Sequence, residues 1–135
     1  MNSNPQIENL SLSFETLNEC YKNGCFSVVD VVNEVFRRID GRGNDGVWTF
    51  LLEQSDVVQR AIDLMAMDVS SLPLYGIPFC VKDNIHVEGL PTTASCPSIS
   101  VIPEQTASVV KRLEDAGAIL IGKNTMDQFA TGLVG

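Results

Sequence analysis

The sequence contains little of the chemistry that builds metal and redox centres. Its 135 residues include a single histidine, His86, and four cysteines. No two of the cysteines (Cys20, Cys25, Cys80 and Cys96) have the C-x-x-C spacing that is typical of zinc and redox sites. We therefore expect no metal site and no cofactor. His86 has no partner in ligand spacing, which favours a surface or structural role.

Basic residues and long apolar runs are also scarce. Nine lysines and arginines stand against 17 acidic residues, and the formal charge is −8. This balance argues against binding to nucleic acid or to anionic membranes, since both reward clustered basic side chains. No apolar run approaches the length of a membrane span. The first ten residues lack the basic and apolar regions of a secretory signal, so we expect a cytoplasmic protein with reduced cysteines.

What the sequence does contain is an alternation of helical and extended patterns. Apolar residues make up 44% of the chain and the mean hydropathy is +0.11, as in a globular protein. Apolar spacings of three and four, with cap residues at the ends, predict helices. The predicted helices cover residues 14–23, 27 to about 41, 55–67, 107–116 and 126–130, and the apolar segments cover 47–52, 77–81 and 118–121. This alternation indicates an α/β fold with a mostly parallel or mixed sheet.

Several side chains are assigned to packing on these patterns alone. Trp48 is interpreted as a core anchor. The methionines Met65 and Met67 are interpreted as packing residues of the third helix. Val109 is predicted to face inward from the helix at 107–116. Asn124 or Thr125 is predicted to cap the short helix at 126–130.

The chain is organised around Leu72 to Asn84, LPLYGIPFCVKDN. Alternation places Ile77, Phe79 and Val81 on one side of a strand, and Cys80 and Lys82 on the other. A lysine at the end of a buried strand can be held away from water, which makes its neutral amine accessible as a general base. The alternative is a solvated lysine that only marks the end of the strand.

Three blocks of sequence carry a resemblance to a known family. GIPFCVKDN resembles the core motif of the amidase signature family, VEGLPTTASC resembles the block that follows it, and SVVKRLEDAGAILIGKN resembles a later helix and strand. The resemblance implies the amidase-signature fold, a mixed sheet flanked by helices, of which this chain is the N-terminal portion. It divides the chain into a loose tail at 1–9, a helical region at 10–67 and the start of the α/β core at 72–135.

The resemblance also implies roles for individual residues. In this family a nucleophilic serine, a second serine in a cis peptide and a lysine act together, and Lys82 takes the position of the lysine. Neither serine is assigned, because Ser95, Ser98 and Ser100 lack the Gly/Ser-rich context; we expect residues 1–135 alone to be inactive. The resemblance implies that the side chains supporting Lys82 are Asp83, Asn84, Thr92 and Thr93. It also implies that Phe129 and Gly132 form part of the wall of the substrate pocket. Lys123 is interpreted as a structural or solvated lysine.

Three functions remain open at this point. The ending MDQFATGLVG is most similar to the allophanate hydrolase branch, which implies hydrolysis of allophanate to ammonia and carbon dioxide, a link to urea carboxylase, and a homodimer. A glutaminase-type subunit of the tRNA-dependent amidotransferase is the near alternative. The third possibility is a non-catalytic remnant or interaction module.

Overall fold

A computed structural model describes residues 6–132 and contains helices packed against a small sheet. In chain order the elements are α1 (Phe14–Asn23), α2 (Val28–Arg42), β1 (Trp48–Leu51), α3 (Gln54–Met65), β2 (Pro78–Lys82), α4 (Ser108–Asp115) and β3 (Ile119–Asn124). Short 3-10 turns lie at Val69–Ser71 and Gln128–Ala130. The predicted α/β class is confirmed.

The sheet is mixed, and β3 is its central strand. The strand order is β1-β3-β2; β3 pairs in parallel with β2 and antiparallel with β1. In the parallel pair Val81 lies opposite Lys123, and Lys82 lies opposite Asn124. The carboxyl ends of β2 and β3 therefore meet at one edge, where an α/β sheet commonly places its ligand site.

The first two helices begin and end at local signals in the sequence. The Ser13 hydroxyl accepts a hydrogen bond from the Thr16 N–H at the start of α1, and Gly24 ends that helix at φ 69°. Ser27 and Asp30 form a reciprocal capping box at the start of α2. The predicted limits of α1 are confirmed. Gly41 lies inside α2, however, and Gly43 caps it.

The N-terminal helices bury their apolar faces against the sheet. Leu17 of α1, Val31 of α2, Val57 of α3 and Ile119 of β3 belong to one buried cluster, on which Trp48 packs partly buried. The anchor role predicted for Trp48 is consistent with that position. None of the helices within residues 6–132 is long and apolar enough to cross a membrane.

An ion-pair cluster fastens the segment before α1 to α2. The Glu34 side chain is 2% exposed and accepts hydrogen bonds from Arg37 Nε at 2.7 Å and Arg38 Nε at 2.6 Å. Arg38 also donates to the carbonyl oxygen of Leu10 at 2.7 Å. Ile7 is buried in the same incoming segment. Arg38 thus connects the charged face of α2 to the incoming chain.

Four local predictions are wrong. Met65 and Met67 are 46% and 52% exposed, because α3 ends at Met65 and turns that side of its last turn to solvent. Val109 is 54% exposed, whereas Val110, also predicted to face inward, is completely buried. The helix predicted at 126–130 is a 3-10 turn, and Asp127 precedes it in place of the predicted Asn124 or Thr125.

The strand predicted at 118–121 extends to Asn124, because both neighbouring strands supply hydrogen-bond partners there.

Candidate active site

Lys82 ends β2 with its side chain in solvent. Along the strand Val81 is buried, while Cys80 and Lys82 are exposed, so the predicted alternation of faces is confirmed. The expectation that Lys82 is held away from water is not met in this structure. Cys80 and Lys82 share the solvent-facing side of a strand that pairs only with β3 among residues 6–132, so nothing shields the amine.

Asp83, the next residue, is completely buried. Its carboxylate accepts hydrogen bonds from the Thr93 N–H at 3.2 Å, the Thr93 hydroxyl, and the Ser95 N–H at 3.4 Å. Burial by itself raises the pKa of Asp83, but the hydrogen bonds from Thr93 and Lys123, followed by that from Ser95, outweigh it and lower the pKa below its ordinary value. Asp83 is therefore an ionised carboxylate inside the protein.

The cation that balances Asp83 is Lys123. Its side chain is 0% exposed, and Nζ lies 3.2 Å from Asp83 Oδ1. Nζ also donates to the Pro91 carbonyl oxygen at 3.0 Å and to Thr92 Oγ1 at 2.7 Å. Three oxygen acceptors match the three N–H bonds of an ammonium group. The solvated interpretation of Lys123 is wrong and its structural interpretation is confirmed.

Sequence reasoning missed the importance of Lys123, although one signal was available. The lysine directly follows AILIG, an apolar run of the kind found in strands buried on both faces. Once β3 is extended through Asn124, Lys123 faces the same side as buried Val81. A buried lysine requires an acidic partner, and Asp83 is the buried carboxylate within reach.

Two loops close over this ion pair in unusual backbone conformations. Ala94 and Ser95 have φ values of 49° and 58°, while Phe129 and Ala130 have φ values of 55° and 56°. The Phe129 N–H donates to the Ala94 carbonyl oxygen at 3.1 Å, which joins the two loops. Non-glycine residues in this region carry strain and tend to cluster at functional sites.

The predicted site residues fall into two groups. Thr93 bonds Asp83 and Thr92 bonds Lys123, so both threonines brace the buried ion pair. Asn84, Phe129 and Gly132 are exposed. The Phe129 N–H donates to the carbonyl oxygen of Ala94, the residue that follows the two threonines. Gly132 lies beside Asp127, and a Cβ added at position 132 would lie 2.5 Å from the Asp127 Cγ.

Ser95 and His86 have definite places nearby. The Ser95 hydroxyl accepts a hydrogen bond from the Met126 N–H at 2.9 Å, which connects the two loops a second time. The His86 ring is exposed, with Nδ1 3.0 Å from Thr92 Oγ1. Within residues 6–132, no cluster of three or more histidine, cysteine or acidic side chains could hold a metal ion.

A groove lies beside Pro78 to Cys80, the part of β2 that precedes Lys82. It has a volume of about 410 Å³ and an apolar lining that includes Val35, Ile39, Trp48 and Phe79. Neither Lys82 nor Asp83 lines it. What the lysine edge offers chemically is an amine in solvent whose backbone neighbour is fixed by an internal ion pair.

These features describe an α/β protein with a mixed sheet flanked by helices and a lysine at the carboxyl edge of its parallel strands. The sequence profile of the Amidase family matches residues 30–135. The chain belongs to the Amidase family.

Individual relatives refine this placement. The chain is 48% identical over 92 residues to urea amidolyase of Saccharomyces cerevisiae, which covers 67% of the chain and 5% of that protein. It is 40% identical over 119 residues to a glutamyl-tRNA(Gln) amidotransferase subunit of Exiguobacterium sp., covering 86% of the chain and 24% of that protein. The structure of Kluyveromyces lactis allophanate hydrolase superposes with a TM-score of 0.76 at 36% identity, covering 91% of the chain and 20% of that structure. The chain thus spans a quarter or less of each relative's length.

Proposed function

We propose that the protein hydrolyses an amide bond, that its substrate is allophanate, and that Lys82 is the proton acceptor. The observation that carries the proposal is the position of Lys82. It ends a parallel strand inside the segment that matches the Amidase family, directly before a buried and ionised aspartate. The similarity to urea amidolyase and to an allophanate hydrolase supports the choice of substrate.

The proposed chemistry follows the logic of other serine–base systems. A lysine accepts a proton only as the neutral amine, so the proposal requires that Lys82 be shielded from water in the complete enzyme. Lys82 then takes the proton of a nucleophilic serine through a second serine, and the serine oxygen attacks the amide carbon. Backbone N–H groups stabilise the oxyanion that forms. Protonated Lys82 then returns the proton through the same relay to the departing ammonia, and water hydrolyses the acyl-enzyme. The resemblance places both serines in a Gly/Ser-rich segment that residues 1–135 do not contain, so these residues alone should be inactive.

Around Lys82 the proposed roles divide between support and substrate contact. The end of β2 is held by the buried ion pair and its hydrogen bonds, to which Asp83, Thr92 and Thr93 contribute. Asn84 lies on the solvent side of this ion pair. Phe129 and Gly132 form part of the substrate wall. The reaction needs no metal or cofactor. The products are ammonia and a carboxylated carbamate, which decays to carbon dioxide and a second ammonia. The enzyme is a cytoplasmic homodimer linked functionally to urea carboxylase.

A glutaminase function is the second candidate. It is favoured by the match to the glutamyl-tRNA(Gln) amidotransferase protein of Exiguobacterium sp., which extends over 86% of the chain. Both functions use the same lysine and release ammonia, so they differ in the amide that the pocket accepts.

Ammonia release by the full-length protein, as its gene encodes it, tests these proposals. Allophanate and glutamine are supplied separately to the wild type, Lys82→Ala and Lys111→Ala. Lys111 is an exposed lysine of α4 and is the matched control. We expect allophanate to be hydrolysed, Lys82→Ala to lose activity by roughly a hundredfold or more as for loss of a general base, and Lys111→Ala to match the wild type. Glutamine as the better substrate would favour the second candidate, and a folded but inactive wild type would favour the non-catalytic alternative.

A further inference from the structure

The buried ion pair between Lys123 and Asp83 is an expensive feature in a small sheet. Both side chains are at most 1% exposed. Removing two charges from water carries a large free-energy cost for each ion, and a well-packed apolar pair of similar volume is often at least as stable. Stability alone therefore gives a weak reason for a lysine at position 123.

The geometry suggests a more specific role, because the ion pair lies directly behind Lys82. In the parallel register Val81 lies opposite Lys123 and Lys82 lies opposite Asn124. Val81 and Asp83 are both buried, while Lys82 between them is exposed. Successive side chains of an extended segment point to opposite faces. A buried Asp83 carboxylate therefore places the Lys82 side chain on the solvent-facing side.

Asp83 is held by its backbone as well as by its carboxylate. The Asp83 N–H donates to the Asn124 carbonyl oxygen at 3.1 Å, and its own carbonyl oxygen accepts from the Ala94 N–H at 2.9 Å. Lys123 precedes Asn124 in β3 and binds the Asp83 carboxylate. The two peptide groups that flank Asp83 are therefore each held by a hydrogen bond, and the first of them joins Asp83 to Lys82.

Lys123 also connects this point to the loop that follows. Its bonds to Pro91 and Thr92 hold the start of the loop, and Asp83 holds Thr93 and Ser95. Without the ammonium, one buried carboxylate and two further oxygen acceptors would lose a donor together. The lost bonds would be those that hold the end of β2 and the start of the loop at Pro91 and Thr92.

We propose that Lys123 is a positioning residue for catalysis: through Asp83 it fixes the end of β2 and so directs the Lys82 amine toward the site of proton transfer. This inference rests on the proposed role of Lys82. Lys123 itself is sealed from solvent, so it touches neither substrate nor the transferred proton.

The test measures kcat and KM of the full-length protein with allophanate for the wild type, Lys123→Met, Lys123→Arg and the double variant Lys123→Met/Asp83→Asn. Lys111→Met is the surface control. Methionine keeps most of the length of lysine without the charge. Because a displacement of about 1 Å can reduce turnover by roughly a hundredfold, we expect kcat per folded molecule to fall at least about tenfold in Lys123→Met. KM should change far less, and arginine should restore part of the turnover.

The double variant separates positioning from stability. It removes the unpaired carboxylate, so its melting temperature should recover towards that of the wild type, while kcat stays low. Recovery of both quantities would show that Lys123 only stabilises the fold, and wild-type kcat in folded Lys123→Met would also overturn the inference. Retained activity in Lys82→Ala would instead refute the proposed function, and a folded wild type inactive on both amides would refute both.

Discussion

The hydroxyl of Tyr21 donates a hydrogen bond of 2.8 Å to the carbonyl oxygen of Gly76, across 55 residues of sequence. Tyr21 lies in the last turns of α1, and Gly76 lies two residues before β2. The Tyr21 ring fills the space that a side chain at position 76 would occupy, since an added Cβ would lie 2.7 Å from Cε2. The N-terminal helix is thereby fitted against the entry to the strand that carries Lys82.

This contact predicts a large penalty for a methyl group at position 76. Gly76 has φ +70°, and Gly89 has nearly the same φ, +75°, with no atom within 4 Å of an added Cβ. Gly89→Ala should therefore lower the free energy of unfolding only by the cost of holding alanine at a positive φ, about 1–2 kcal/mol. Gly76→Ala should cost roughly 1–3 kcal/mol more, because the ring must move. Chemical denaturation of both variants measures the difference, and equal losses would contradict the steric account.

Tyr21→Phe examines the hydrogen bond separately from the packing. It keeps the ring and removes the donor, leaving the Gly76 carbonyl oxygen without this partner. We expect a loss of about 1–3 kcal/mol in the free energy of unfolding, because a buried acceptor is left unpaired. Burial raises the pKa of the Tyr21 hydroxyl well above its ordinary value. The phenol should accordingly resist ionisation in a spectrophotometric titration until the protein unfolds, and ionisation at the ordinary pKa of a free tyrosine would show that it is not buried.

Arg38 offers a comparison between a buried and an exposed ion pair. Its partner Glu34 is 2% exposed, whereas Arg42 pairs with Asp45, and that pair is 72% and 25% exposed. Arg38→Met should destabilise the protein by roughly 1.5–3 kcal/mol, because it removes one hydrogen bond from a buried carboxylate that Arg37 still pairs and releases the Leu10 carbonyl. Arg42→Met should cost less than about 1 kcal/mol. Urea denaturation checks both values, and similar losses would contradict the difference in burial.

The sequence predicts well those elements whose signals are local. The limits of α1 follow from the Ser13 cap and from Gly24, which lie within one helical turn of its ends. The length of β3 depends on partners far away in the sequence, in β2 and β1. The apolar run before Lys123 indicates a buried strand, but it does not show where the strand ends or which carboxylate pairs with the lysine. Motif resemblance likewise identified Asp83 and Thr93 as supporting residues without indicating that Lys123 completes their network.

The 126–130 segment shows a second kind of failure. Its residues suit a helix, but Phe129 and Ala130 adopt positive φ. The Phe129 N–H bonds the Ala94 carbonyl and the Met126 N–H bonds the Ser95 hydroxyl, so tertiary contacts take the donors. Local propensity is overridden where two loops meet above the ion pair.

The four thiols should separate into two classes of reactivity. Within the described residues all four cysteines are free; Cys25 and Cys80 are exposed, while Cys20 and Cys96 are buried. Desolvation raises the pKa of both the Cys20 and the Cys80 thiol, so access to the reagent, and not thiolate fraction, separates the two classes. Brief alkylation of the native protein should add two labels, and alkylation in denaturant should add four. Cys25→Ser and Cys80→Ser should each remove one fast label, and Cys20→Ser should remove none; a fast label on Cys20 would contradict its burial.

Acid should weaken the fold through its two buried carboxylates. A hydrogen bond from Arg37 lowers the pKa of Glu34 from its ordinary value of 4.5, and hydrogen bonds from Thr93 and Lys123 lower that of Asp83 from 3.8 despite its burial. A depressed pKa in the folded state means that the unfolded chain binds protons first as the pH falls. The stabilisation is therefore fully present above these ordinary values and is lost as the pH falls through the folded values below them.

Urea denaturation between about pH 7 and pH 2.5 measures this loss. The free energy of unfolding should be nearly constant above about pH 5.5 and should fall steeply below about pH 4. Glu34→Gln should be less stable at neutral pH but should show a shallower decline in acid, because one of the responsible groups no longer titrates. Asp40→Asn, an exposed position on the same helix, is the control and should keep the wild-type slope. An unchanged slope in Glu34→Gln would show that the acid sensitivity arises elsewhere.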